Sequence, residues 1–361
     1  MNLSKTSSRN SSFELLRFIC IIFIISHHYF YHGNLGLPFT EDNLSNGRVF
    51  LQIASMFGRT ACSIFVLITG YFLINSRSVN IKKLVLLIFE MLSYSIGISL
   101  FVRFLTPYEV SNGDIIKSFM PIPYGNWYCV YYILFIMITP QLNKILNSLT
   151  KREYRNLLFV MIGIYSVLNT LIKNELEFSN IDFFFVMYII GGYIRLHYEN
   201  KYSNSYNLYV LITTTILIIL SVIFFDNIGV CFHKASLIEH ATYFQQFNTL
   251  PSVLFAISIF LYFSRLRISN VLLNFLGKSV LGIYLIHDNF ILRKIIWCKI
   301  VPNNEYLDSP YIHFFAKIII VLLFALLLDI IRRYTLEKAL VKILNFTKIS
   351  KLLRNRNYVE F

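Results

Sequence analysis

Five ionisable side chains crowd one apolar stretch near the N-terminus. Between Phe13 and His32 stand Glu14, Arg17, His27, His28 and His32, in a run otherwise made of Leu, Ile, Phe, Cys, Tyr and Ser. A charged group at the centre of a hydrocarbon layer costs about 2.5–3.5 kcal/mol on insertion scales, so groups kept there tend to mark ion paths, proton relays or catalytic sites. Arg17 and His28 are eleven residues apart. On a helix that is about 16 Å of rise, and the rotation returns to within about 20° of the same face. His27 points about 80° away from that face. One helix thus carries a fixed cation near one end and an imidazole near the other. An imidazole, with an ordinary pKa near 6.5, can take up and return a proton at neutral pH. The plainer alternative is an arginine that snorkels to head groups and histidines that sit at the opposite interface.

The elements that must position these groups are apolar helices. The chain has 361 residues, of which 56% are hydrophobic, 17% aromatic and only 14% charged, and its mean hydropathy is +0.59. Soluble domains carry about a quarter charged residues. Ten apolar segments are expected, at 13–32, 51–74, 84–105, 124–141, 156–172, 182–197, 207–225, 250–264, 271–292 and 311–331. Each is long enough, as a helix, to cross or nearly cross a core about 30 Å thick. The segments 156–172 and 182–197 are near the short limit, and 271–292 carries Asn274, Lys278, His287 and Asp288. The polar residues 1–12 lead into the first run without a small-residue cleavage site, which reads as a retained helix rather than a signal peptide.

The net charge of +14 belongs to topology and not to nucleic-acid binding, because no nucleic-acid motif is present and the basic residues lie in short loops and a tail. With the N-terminus cytoplasmic, 23 of the 33 Lys and Arg residues fall on the cytoplasmic side. The fold class expected is therefore an all-α membrane protein, a bundle of about ten transmembrane helices with both termini cytoplasmic, in the cell membrane. Residues 1–335 form one multi-pass domain and 336–361 a basic cytoplasmic tail. In that tail Lys and Arg alternate with Leu, Ile and Phe, as in an amphipathic helix on an anionic leaflet or a solvated topology signal. The five cysteines (Cys20, Cys62, Cys129, Cys231 and Cys298) make no CxxC pair, so neither a disulfide framework nor a zinc site is expected. His233, Glu239 and His240 in the loop 226–249 are too weak a set to expect a metal.

Four segments carry a family resemblance. Glu14-Leu15-Leu16-Arg17 followed by Ser26-His27-His28-Tyr29-Phe30-Tyr31-His32-Gly33 is similar to the opening of the membrane-bound acyltransferase-3 family, and most similar to its polysaccharide O-acetyltransferase branch. Cys62 to Leu73, with Thr69-Gly70-Tyr71-Phe72, resembles the family's Phe-rich "SGYF" helix, with Thr where Ser is usual. Asn126-Trp127-Tyr128 through Thr139-Pro140-Gln141-Leu142-Asn143 resembles its Trp-aromatic helix, and Gly282-Ile283-Tyr284-Leu285-Ile286-His287-Asp288-Asn289 its late Tyr-Leu-Ile-His helix. The order of the four is the family's order. One departure is Asn80-Ile81-Lys82-Lys83 where members often carry Arg-x-x-Arg; lysine keeps the charge but loses the bidentate fork.

The resemblance implies an acyl donor, acetyl-CoA, on the cytoplasmic side and a polysaccharide or lipid-linked glycan acceptor outside; succinyl is a second acyl possibility. On that reading Arg17, Lys82 and Lys83 receive the CoA phosphates. His28 is general base or acyl relay, with His27 as the alternate and His287 as a second site residue. Tyr284 and Trp127 contact substrate, and no metal is needed. The competing class is a transporter exporting a glycan precursor or small solute, since transporters also bury His, Arg and Glu; matching broken segments in two halves are not evident.

Overall fold

The computed structural model describes residues 10–172, 180–199 and 203–346. Among these residues every regular element is helical. The chain opens with α1 (Ser12–His32), then α2 (Asn46–Ala54), α3 (Gly58–Leu73) and α4 (Ile81–Leu105). Two short helices, α5 (Asn112–Ser118) and α6 (Pro121–Tyr124), lead into α7 (Trp127–Ser148). There follow α8 (Lys151–Ile162), α9 (Asn169–Leu171), α10 (Asn180–His197), α11 (Asn204–Cys231), α12 (Ala235–Glu239) and α13 (Leu250–Ser264). The last part comprises α14 (Val271–Gly277), α15 (Val280–His287), α16 (Leu292–Ile295), α17 (Tyr311–Arg332) and α18 (Lys338–Phe346).

All ten apolar segments fall on helices, with short breaks at 55–57 and 125–126, and among the described residues seven spans are long and apolar enough to cross a membrane, or eight if the bent pair around residue 288 counts as one. The segment 271–292 is not the single helix expected. It breaks between α14 and α15, and again beyond His287, where the chain turns by 80°. The second break has a local cause. Asn289 Oδ1 accepts from the backbone N–H of Ile291 at 3.0 Å and of Leu292 at 3.2 Å, so this side chain ends one helix and starts the next. Conversely, α7 runs past Pro140 to Ser148, beyond the expected end at 141. Asn143 Nδ2 donates to the carbonyls of Leu73 (2.7 Å) and Ser76 (2.9 Å), and Asn147 Nδ2 to that of Ile74 (2.8 Å). The late turns of α7 thereby satisfy the open carbonyls at the end of α3. Residues 347–361, most of the expected tail, lie outside the described residues; α18 is its helical beginning.

α1 stands at the centre, against α3, α13, α14, α15 and α17. α3 runs antiparallel to it: Phe13 packs on Tyr71 and Phe72, while Gly58, at the other end of α3, meets His27. α3 and α10 approach most closely, because a Cβ on Gly70 would lie 2.3 Å from the carbonyl oxygen of Tyr188, and one on Gly191 2.3 Å from that of Leu67. Small residues at a crossing let backbones touch, which is how helices associate where water gives no drive. The outer helices show the inverse pattern of a soluble protein. α17 exposes Ile312, Phe315, Ile319, Leu323 and Leu327 and buries Phe314, Ile318, Val321, Ala325, Asp329 and Arg332. Its lipid-facing side is apolar and its inward stripe ends in two charged groups.

Candidate active site

α1 and α15 bring His28 and His287 together. His28 Nδ1 and His287 Nε2 are 3.0 Å apart, and His287 Nδ1 is 2.6 Å from the carbonyl oxygen of Ile283, one turn back on α15. A carbonyl only accepts, so His287 must donate from Nδ1 and, when neutral, keeps its lone pair on Nε2. That lone pair accepts the proton on His28 Nδ1. The lone pair of neutral His28 is therefore on Nε2. Two hydrogen bonds fix both tautomers, the role a carboxylate plays towards histidine in hydrolase triads.

Asp288 closes the cluster. Its Oδ1 lies 3.9 Å from His28 Nδ1, 3.5 Å from His32 Nε2 and 3.3 Å from an Arg293 guanidinium nitrogen. Asn126, just before α7, donates from Nδ2 to the Asp288 carbonyl at 2.9 Å and to its Oδ2 at 3.3 Å. The buried carboxylate thus has the Arg293 cation at Oδ1 and a neutral amide donor at Oδ2. A His28 imidazolium formed by proton uptake would find a fixed anion beside it, which stabilises charge that develops during reaction. His28, His32 and Asp288 present three ligand atoms within 4.8 Å of one another. Arg293 supplies a cation to the same Asp288 oxygen, and His28 Nδ1 is engaged by His287, which leaves Nε2 as its open nitrogen.

A cavity of about 300 Å³ lies next to the cluster, lined by Tyr94, Asn126, Trp127, Asp288, Asn289 and Arg293 among others. That is the lower end of small-molecule sites. Its walls offer N–H donors from Arg293 and an aromatic face from Trp127.

The expected site residues divide. His28 and His287 meet; Tyr284 packs edge-on against His287 with ring centroids 6.1 Å apart; Trp127 lines the cavity. His27 points elsewhere, with its ring on Tyr31 (4.2 Å between centroids) and Nδ1 3.4 Å from the carbonyl oxygen of Ser55. Arg17 stands towards the opposite end of α1, where its guanidinium meets Glu14 at 3.0 Å. Lys82 and Lys83 occupy the first turn of α4, at the same end of the bundle as Arg17, seven residues after α3 ends. Sequence reasoning did not pick out Asn126, Arg293 or His32 as partners of Asp288. His32, four residues after His28, was visible as a same-face neighbour; Asn126 and Arg293 carried no such signal.

A second polar cluster joins α4, α15 and α17. Arg332 bonds Glu90 at 3.0 Å, Asp329 at 3.0 and 3.2 Å, Glu337 at 3.0 Å and the Tyr94 hydroxyl at 3.0 Å. Tyr94 in turn donates to Asp329 Oδ1 at 2.7 Å. Glu90, an unpartnered carboxylate in the sequence, finds its cation 242 residues away.

Fold and site define a class: a helical membrane protein whose first and late helices hold a tautomer-fixed imidazole pair beside a polar cavity. The family model described as an acyltransferase domain, that of the acyltransferase-3 family, matches residues 10–331, and the chain belongs to this family. It is a membrane acyltransferase. Comparison with curated proteins and with solved structures gives no match.

Proposed function

We propose that the protein transfers an acetyl group from cytoplasmic acetyl-CoA to a hydroxyl of a cell-surface or exported polysaccharide, as in the polysaccharide O-acetyltransferase branch, with His28 as general base. The supporting observation is the bond chain Ile283–His287–His28, which leaves His28 Nε2 as the basic nitrogen. His28 Nε2 takes the acceptor's hydroxyl proton. The oxygen attacks the thioester carbonyl, the C–O bond forms, the C–S bond breaks, and the CoA thiolate leaves and recovers a proton. Arg293, which gives one guanidinium nitrogen to Asp288, would donate from another to the carbonyl oxygen as it becomes anionic. An acyl-histidine relay would use the same nitrogen and is distinguished by trapping with hydroxylamine.

In this reading the chain crosses the cell membrane ten times with both termini cytoplasmic. The Arg17 end of α1 then faces the cytoplasm, with Lys82 and Lys83 beside it as phosphate contacts for the donor, and the His28 end faces the acceptor. Arg17 comes paired with Glu14, so donor binding would exchange one anionic partner for another.

The test is label transfer from radiolabelled acetyl-CoA to the host's surface glycan in membranes bearing wild type or His28→Ala. General base catalysis is worth about 10²–10⁴-fold, and the variant should lose at least the lower figure. Equal transfer by the two would remove His28 from the chemistry.

A further inference from the structure

Two imidazoles stand one turn apart in the last turns of α1. The run His28-Tyr29-Phe30-Tyr31-His32 puts them four residues apart, and their ring centroids are 4.6 Å from each other. That spacing places both on one face, the arrangement by which a helix offers two nitrogens to one metal ion. Asp288, at the break after α15, supplies an oxygen. Its Oδ1 is 3.5 Å from His32 Nε2 and 3.9 Å from His28 Nδ1. Among the described residues no other three His, Cys, Asp or Glu side chains bring ligand atoms so close together.

Bond lengths fix what would fit there. Zinc holds imidazole nitrogen and carboxylate oxygen at about 2.0–2.1 Å in a tetrahedron, whose edges are then about 3.4 Å. The two edges at Asp288 Oδ1 match this to within about half an ångström, and the set as a whole lies within 4.8 Å. His32 has a side chain 29% exposed against 5% for Asp288. It is the ring that would turn to complete the site, and it marks the side from which an ion arrives. One borderline nitrogen-rich set with a single carboxylate suits zinc and not a hard cation, which takes oxygens.

An ion at this position would make two exchanges. On Asp288 Oδ1 it replaces the Arg293 guanidinium, whose side chain is 35% exposed and can turn to water, while Asn126 keeps Oδ2. On His28 it takes Nδ1, the nitrogen that otherwise donates to His287 at 3.0 Å. A neutral imidazole carries one proton. With the Nδ1 lone pair on the metal, that proton must sit on Nε2. The ring loses a proton at one nitrogen and gains one at the other, so it stays neutral and no net proton is released. Nε2–H has no lone pair, and the base is gone.

We propose that His28, His32 and Asp288 form an inhibitory zinc site, in which the ion reverses the tautomer of His28 that His287 otherwise holds. The site rests on geometry; its effect on turnover rests on the acyl-transfer reading given above.

Cobalt tests the site apart from catalysis. Purified full-length protein in detergent is titrated with Co²⁺, which substitutes for zinc and reports tetrahedral coordination in its visible bands. Wild type should bind a single ion per chain with tetrahedral bands and no sulfur-to-cobalt absorption, and Zn²⁺ should displace it; this readout needs no variant. H32Q should weaken binding by at least the 10–100-fold that losing even an outer partner of a ligand costs. H233Q, at the exposed His233–Glu41 pair, should bind as wild type does. In the label-transfer assay saturating Zn²⁺ should slow wild type by at least about 10²-fold, the lower figure for loss of a general base. H32Q, scaled to its own zinc-free rate, should need at least about tenfold more zinc for the same fractional loss. Mg²⁺ and Ca²⁺ should slow neither. Octahedral or sulfur-bound cobalt, equal affinity in H32Q and wild type, or full transfer by zinc-loaded protein would overturn the proposal. A wild type that transfers no acetyl even without zinc would count against the acyl-transfer reading alone, because the cobalt titration decides the site by itself.

Discussion

The two buried polar clusters use similar materials for different ends. Around Arg332, two carboxylates within the bundle, a third at its edge and a phenol gather on one guanidinium. Around His28, His287 is committed on both nitrogens and His28 on one, and the cluster borders a cavity. The first arrangement engages all three guanidinium nitrogens internally, and the second keeps a basic nitrogen in reserve. A buried charge whose donors are all engaged ties helices together. A buried base with an uncommitted lone pair beside an opening can act on something that enters. Clustering of ionisable groups within a membrane bundle is thus a weak sign of chemistry until unused valence is counted.

The contrast can be broken most forcefully at Arg332. Arg332→Ala leaves Glu90 and Asp329 buried without their cation, a loss of about 3–5 kcal/mol by the usual cost of stranding one partner of a buried pair. The melting temperature in detergent should fall steeply, whereas His28→Ala should melt within a few degrees of wild type. Similar losses in both would erase the distinction. Next in size is His287. Phe at this position removes the acceptor that orients His28 Nδ1 and should slow transfer by about 10–10²-fold, below the full general-base factor. Gln, which can accept through its amide oxygen, should recover part of that rate. Recovery by Gln separates orientation from packing, since both variants fill the space. The smallest effect belongs to Tyr94→Phe, which touches both regions. It removes one hydroxyl from the Arg332 cluster, worth about 1 kcal/mol, and leaves the ring on the cavity wall. A modest drop in melting temperature with an unchanged kcat would place Tyr94 with the scaffold; a larger change in KM for the acceptor than in stability would move it to the site.

Much of this architecture is written in short-range pattern. The apolar runs located the helical segments, and seven or eight of the spans they form among the described residues are long and apolar enough to cross a membrane, because long apolar runs have few other stable solutions in lipid. The angle between Arg17 and His28 and the divergence of His27 also follow from helix period alone, and His27 indeed turns to Ser55. The pairing of Arg17 with Glu14 is equally readable, the two standing one turn apart on one helix. What the pattern could not supply was partnership across the chain. Nothing local at Glu90 names Arg332, and nothing at Asn126 names Asp288. The break after His287 depended on one asparagine acting as a cap, which a hydropathy window averages away. That break sharply turns the backbone where Asp288 and Arg293 must both face the histidines.

The bond between His28 and His287 spans 259 residues, and this bears on the order of synthesis. α1 leaves the ribosome before every other described helix, and α15 emerges after most of them. The lone pair of His28 has no fixed direction until then. A nascent or truncated chain that has inserted every helix up to α13 would carry the first three family segments and still lack an oriented base. Competence for transfer would arrive abruptly, late in translation, when a helix from the far end of the chain docks against the first.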